Sequence, residues 1–399
     1  MTQPKFVSSL SRSSKIFFGQ ETSVGIVMLL AAFIAVIIAN SPLSSWYQGF
    51  VSDKMAISWG TFSFSANFDT VVKDVLMVFF FFNIGMELKR EMVDGFLRKP
   101  SQIFTPLLAA ACGMLVPALI YIAINFNNPT YLHGWAIPCA TDIAFAVCIL
   151  ALAGKAIDPT VKIFLLAIAV FDDLGSIIII ALFYGSDISL MPLGLSCIII
   201  LGFVLLNLLQ ISSFFFYALL GALLWGTFHE AGIHTTIAGV ILGLAIPFKC
   251  TINDNKVVYP LQDNLRLFTP WVNFMILPIF AFTEAGVDFR GLSAEDLLSP
   301  ISLGVALGLF FGKQIGIFGS TYILLKMKIA QFPESVGLRH IYGVSILSGI
   351  GFTMSLFVSK LAFDSIDMQD MAKVGIISSC ILASIWGLAV LRWKRKKTA

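Results

Sequence analysis

The sequence predicts an all-α polytopic membrane protein: twelve transmembrane helices, an inverted-topology repeat, two discontinuous helices and a small external β-hairpin. Three observations carry that prediction. Charged residues make up only 12% of the chain and the mean hydropathy is +0.90, whereas soluble domains are about one quarter charged. Apolar runs close to the roughly 20 residues that cross a bilayer as a helix recur twelve times. Two of those runs are interrupted near mid-depth by Pro, Gly and polar residues.

In chain order the runs fall near 23–40, 70–87, 104–126, 134–153, 162–184, 189–209, 211–228, 232–248, 271–287, 300–325, 341–360 and 372–391. Residues 1–22 lack the apolar core of a cleavable signal and are expected to remain as a cytoplasmic segment. Residues 23–391 then form one transmembrane domain, and 392–399 a basic cytoplasmic tail. With alternating sides, 20 Lys and Arg share the side of both termini, and five (Lys54, Lys73, Arg290, Lys360, Lys373) take the other. The positive-inside bias makes the first side cytoplasmic. Fusing the closely spaced sixth and seventh runs would flip every later loop and erase this asymmetry.

The six cysteines contain no CxxC and mostly lie in apolar runs, so no disulfide framework is expected. Basic residues are dispersed between the runs rather than gathered on one face, which argues against a nucleic-acid partner. The longest external connection, 41–69, contains AISWGTFSFSANF, where Ile57, Trp59, Phe62 and Phe64 partly alternate with small polar residues. A hairpin over about 45–68, open to pairing with a second copy, and a plain loop with interfacial aromatics are both compatible with it.

The fourth run, GWAIPCATDIAFAVCILALAG, carries Pro138, Thr141 and Asp142 at its centre. Proline removes a donor and the Thr-Asp pair competes for backbone groups, so a break is expected there. The eleventh, IYGVSILSGIGFTMSLFVSK, places Gly349, Gly351 and Thr353 at a comparable depth. Irregular backbone survives in a membrane only inside protein or along a polar cavity, and paired broken spans point to a transporter's binding site. Overlaying 104–184 on 300–391 aligns the two breaks with opposite orientation, an inverted repeat read from topology.

The ionisable residues read as intramembrane are Asp142, Asp172, Asp173 and Lys313, each costly at about 2.5–3.5 kcal/mol on insertion scales. Neighbours on a helix differ by about 100° in direction, so Asp172 and Asp173 divide their labour. One faces Lys313 in a buried ion pair while the other faces water and a cation. Thr141, Asp142 and backbone carbonyls supply further oxygens. Asp142 has a second reading, as compensation for the partial positive charge of the broken helix.

The stretches FFFFNIGMELKREM (79–92), WAIPCATDIAFAVCILAL (135–152), FLLAIAVFDDLGSIIIIALFYG (164–185), GIHTTIAGVILGLAIP (232–247), PWVNFMILPIFAF (270–282), FGKQIGIF (311–318) and RHIYGVSILSGIGFTMSLF (339–357) closely resemble the NhaA family of bacterial sodium/proton antiporters. The resemblance is collinear over nearly the whole chain. It implies twelve spans, crossed discontinuous helices and a dimer through the external hairpin. It also implies electrogenic export of Na+ or Li+ for H+ in pH and sodium homeostasis, at the bacterial inner membrane. By the same resemblance Asp173 is the principal cation ligand, joined transiently by Asp172, which pairs with Lys313. Thr141 and Asp142 support the site. Glu87, Glu91 and His234 match positions tied to the pH response, and Asp74 matches a further acid of lesser weight. Two positions depart from the pattern: Leu265 replaces a customary glutamate and Glu284 a customary asparagine.

The expected species are Na+, Li+, H+ and membrane lipid, with no cofactor and no enzymatic activity. The second proton carrier is left open between Lys313 and Asp172. A sodium-coupled solute symporter of similar architecture is the alternative, and the sequence offers no residue cluster for a solute. An intramembrane aspartyl protease needs two facing acids sharing a proton, which adjacent Asp172 and Asp173 beside Lys313 do not match.

Overall fold

The computed structural model describes residues 5–59, 62–95, 100–154, 157–185, 189–252, 256–290, 298–330, 332–333 and 335–393. Most of the basic tail, 394–399, and the FLRK residues 96–99 lie outside the described residues. So do the side chains of 1–21 and 55–66, including Ile57, Trp59, Phe62 and Phe64.

Helices dominate. They are α1 (Lys5–Ala39), α2 (Ser44–Ser52), α3 (68–94), α4 (Pro100–Asn125), the broken pair α5 (Pro129–Cys139) and α6 (Ile143–Leu152), α7 (Pro159–Phe183), α8 (Leu190–Leu208), α9 (Phe214–Ala231), α10 (Thr236–Ala245), α11 (Pro260–Glu284), α12 (Pro300–Lys326), the broken pair α13 (Leu338–Leu347) and α14 (Phe352–Ala362), and α15 (Ile366–Arg392). Proline opens α4, α5, α7, α11 and α12, where its missing N–H costs nothing and its φ is preset. The chain leaves α9 through Gly232 at φ +77°, the left-handed exit that glycine tolerates best.

Among the described residues seven helices are long and apolar enough to cross a membrane, and the two bent pairs bring that to nine. The other runs fall on α3, α9 and α10, the last of only ten residues. The sixth and seventh runs are separate helices, turned at Gln210, whose φ is +55°. Large apolar side chains such as Phe33, Leu182, Leu208 and Phe215 stay exposed, as lipid-facing positions require.

Several boundaries differ from the sequence reading. Helix α1 begins at Lys5, because the polar stretch before the first run has no helix breaker after Pro4. Helix α11 begins at Pro260 rather than near 271, so the loop assigned to 249–270 is largely helical. A second antiparallel hairpin, β3 (Cys250–Ile252) with β4 (Lys256–Val258), precedes it. Three-residue strands are too short for alternation to reveal. The first hairpin, β1 (Lys54–Trp59) with β2 (Phe62–Asn67), pairs Lys54 with Asn67 through Trp59 with Phe62.

The chain divides into two compact units. The first comprises Met1–Ile34, Thr105–Asp172 and Phe289–Ala399, and so gathers both broken spans. The second comprises Ala35–Phe104 and Asp173–Asp288. Its core joins α3, α8, α9, α10 and α11 through Phe82, Met86, Ile199, Phe203, Tyr217, Leu224, Ala238, Leu261 and Leu265.

Candidate functional site

In the first unit the two broken spans satisfy each other's freed backbone groups. The bends are 48° between α5 and α6 and 42° between α13 and α14. At the first break the Asp142 N–H donates to the Ile350 carbonyl at 2.7 Å. The Thr141 hydroxyl lies 2.9 Å from the Ser348 carbonyl, and the Ser355 hydroxyl donates to the Ile137 carbonyl at 2.8 Å. A buried backbone group without a partner costs as much as a lost hydrogen bond, so each break depends on the other. The crossing leaves no room for a side chain at Gly351, where a Cβ would stand 2.9 Å from the Ala140 carbonyl.

Asp142 is 2% exposed and serves two helix starts. Its Oδ1 accepts from the Phe145 N–H at 3.0 Å, the capping bond of α6. Its Oδ2 accepts from the Thr353 N–H at 3.0 Å and the Thr353 hydroxyl at 2.6 Å, in the first turn of α14. A carboxylate there offsets the positive ends of both helix dipoles. These capping bonds agree with the helix-terminus reading of Asp142.

Lys313 sits at the opposite, carbonyl-rich side. Its Nζ donates to Asp172 Oδ2 and to the Cys139 carbonyl, each at 2.5 Å, with lysine and aspartate side chains fully buried. Thr141 Oγ1 lies 2.6 Å from the same Asp172 oxygen. Asp172 Oδ1 is buried and has no hydrogen-bond partner among the described residues. The expected pairing of Asp172 with Lys313 is therefore present, and Thr141 joins it. Asp173, next along α7, is 6% exposed. The sequence singled out Thr353 only as part of an unwound centre and missed Cys139 and Ser348, which act through backbone carbonyls that carry no side-chain signature.

Buried charges extend beyond the four residues that the sequence reading singled out. Among the described residues Lys162, in the first turn of α7, and Glu284, at the end of α11, are also buried, at 6% and 2% exposure. Lys162 falls at the edge of an apolar run, where sequence alone reads a solvated head group.

In the second unit Glu87 Oε1 accepts from Asn83 Nδ2 at 2.9 Å, and Asn83 Oδ1 accepts from Thr269 at 2.8 Å. Glu91 pairs with Arg90 at 3.0 Å on a more exposed stretch. Between them Lys89 Nζ caps the end of α10 through the carbonyls of Leu244 at 2.8 Å and Ile246 at 2.5 Å. His234 stands before the other end of α10, with Nδ1 2.7 Å from Thr236 Oγ1. A ten-residue helix is about 15 Å long, so the structure does not bring His234 together with Glu87 and Glu91. Asp74 lies in a wide turn of α3, and its backbone carbonyl accepts from Trp225 Nε1 at 2.9 Å. Leu265 belongs to the apolar core. Glu284 lies near Tyr47, whose phenol donates to the Phe282 carbonyl at 2.6 Å. Burial first, and the Glu284 charge second, raise that phenol above its ordinary range.

Comparison with known proteins turns this geometry into a family. Residues 15–391 match the family model described as Na+/H+ antiporter 1. The chain is 46% identical over 380 residues to Na(+)/H(+) antiporter NhaA 1 of Clostridium beijerinckii, covering 94% of each chain. It is 41% identical over 392 residues to Na(+)/H(+) antiporter NhaA of Pelagibacter ubique, covering 98% of this chain and all of the relative. The chain belongs to the NhaA family. Within an NhaA chain the crossed broken helices and the buried Asp172–Lys313 pair occupy the segments TDIAF, FDDLG, FGKQ and GIGFT. The NhaA match, from residue 15 to 391, runs through both compact units, so most residues outside the crossing are covered by it as well.

Proposed function

We propose that this multi-pass membrane protein exchanges Na+, and Li+, for H+ electrogenically, exporting the cation in pH and sodium homeostasis. The reading rests on family membership and on one observation of the site. Asp172 presents one oxygen to Lys313 and Thr141, while its other oxygen is a buried acceptor with no donor among the described residues. A desolvated carboxylate oxygen of this kind favours a proton or a hard cation.

Asp173 is the exchangeable ligand. When it is deprotonated it takes the cation from the cytoplasm; the broken spans then shift, and protons arriving from outside displace the ion. Competition at one group couples the two fluxes. The second proton is carried by Lys313 or by Asp172 released from it. Glu87, Glu91 and His234 modulate the response to pH from positions in the second unit.

The same proposal includes twelve crossings, an inverted repeat of 104–184 with 300–391, both termini in the cytoplasm, residence in the inner membrane with its lipid, and a homodimer through the β1–β2 hairpin. The test is sodium-driven pH change in proteoliposomes, with and without Asp173→Asn. Wild type exchanges Na+ and Li+ for H+, and the variant loses exchange while keeping its thermal unfolding profile. Full activity of the folded variant would overturn the role of Asp173. Sodium-dependent uptake of an organic solute without proton counterflow would favour a symporter instead.

A further inference from the structure

Lys313 occupies an unusual place in its helix. Helix α12 widens into π-type turns on both sides of it, Gly308–Gly312 and Gln314–Phe318. In such turns the backbone bonds reach five residues instead of four, so carbonyls lose their ordinary partners and later side chains rotate about the axis. Gln314, 7% exposed, meets one of those carbonyls. Its Nε2 donates to the Phe310 carbonyl at 2.7 Å, and its Oε1 accepts from the Tyr342 hydroxyl at 2.8 Å. Tyr342 belongs to α13, six residues before Ser348, whose carbonyl lies at the helix crossing. The Tyr342 ring also packs edge-on against Phe318, with centroids 5.3 Å apart.

We infer that Gln314 and Tyr342 are positioning residues for Lys313. They brace the widened segment of α12 and tie it to α13, the first half of the second broken span. The lysine ammonium is thereby held on Asp172 Oδ2 and the Cys139 carbonyl. The chain of bonds runs from the Phe310 carbonyl through the Gln314 amide to Tyr342, and every member is in the first unit. These bonds bypass the ion pair itself, so the action is indirect. A rearrangement of α13 would draw on this link before it reached Lys313.

The inference rests on the assignment of Asp172 and Lys313 to the transport site. With the brace cut, the ammonium holds Asp172 less firmly and competes less well with the cation. The experiment is a Na+ titration of exchange at fixed pH in proteoliposomes, comparing wild type, Tyr342→Phe, Gln314→Met and the double variant. Each single change lowers KM for Na+ about threefold, as expected for one neutral hydrogen bond, with kcat changed less than KM. The double variant moves KM no further than a single change, because both cut one chain of bonds. Unchanged or raised KM in Tyr342→Phe overturns the inference; so does a fall in kcat alone, which simple loss of packing would produce. Tyr342→Phe deletes one oxygen atom and decides the matter if Gln314→Met fails to fold. Asp172→Asn in the same vesicles separates the two levels. Its full activity removes the assigned site, whereas its inactivity beside an unmoved Tyr342→Phe removes only the brace.

Discussion

Thr353 delivers both its backbone N–H and its hydroxyl to one oxygen of Asp142, at 3.0 and 2.6 Å, across 211 residues of sequence. The other oxygen of Asp142 caps its own helix at Phe145. One buried carboxylate thus starts two helices that run through different broken spans. Asp142 and Lys313 divide the crossing between them, the acid at the amide ends and the lysine at a carbonyl end.

Removing the shared cap should weaken both half-helices at once. Asp142→Ala is expected to cost on the order of 2 kcal/mol, about one unit of capping energy at each helix start. Thr353→Val, which deletes only the hydroxyl bond, should cost roughly half as much. Thermal unfolding in detergent measures both. An Asp142→Ala variant as stable as wild type would rule out the double cap.

Lys313→Ala strands Asp172 in a site with no exposure to water. Losing one partner of a buried pair typically costs about 3–5 kcal/mol, whereas replacing both with neutral groups costs far less. Lys313→Ala should therefore unfold at a clearly lower temperature, and Lys313→Ala with Asp172→Asn should recover much of the loss without recovering exchange. Equal stability of the single and double variants would count against the pair.

Asp158 precedes α7 and accepts from the Ser335 hydroxyl at 2.5 Å and from the Thr160 N–H at 2.7 Å. These bonds, Ser335 foremost, hold its carboxyl below the usual aspartate range. A lowered folded-state pKa contributes stability above the unfolded value near 4 and loses it as pH falls through the folded value. Ser335→Ala should lower the unfolding temperature at neutral pH, and the gap from wild type should narrow below about pH 4. A gap that stays constant through that range would contradict the assignment.

Leu265→Glu places an acid among Phe82, Met86 and Leu261. A carboxylate without partners in such surroundings is strongly unfavourable, so the variant should lose at least about 2 kcal/mol of stability, in line with other buried polar insertions. Unfolding temperature is again the measurement. Wild-type stability would mean that the core opens there to water.

Much of the site was legible because membrane burial makes polar residues conspicuous. Pro138, Thr141 and Asp142 marked one break and Gly349 and Gly351 the other, since each interrupts an apolar run. Lys313 was the one cation read at mid-depth, which made it the partner of an aspartate. The β3–β4 hairpin was illegible because its strands are three residues long. The burial of Lys162 and Glu284 was illegible because both stand near the ends of apolar runs, where the pattern does not distinguish a buried from a solvated head group.

Composition and the spacing of apolar runs determined that this chain is helical, membrane-spanning and broken in two spans, because a bilayer demands self-contained backbone bonding. The family rests on the similarity of whole stretches to known relatives. Only the tertiary structure decided that Asp142 serves two helices, that Lys313 reaches Cys139 as well as Asp172, and that Gln314 is tied to Tyr342. Those bonds join residues from 28 to 211 positions apart. Local pattern cannot specify them, because they arise where two interrupted backbones cross and complete each other's hydrogen bonds.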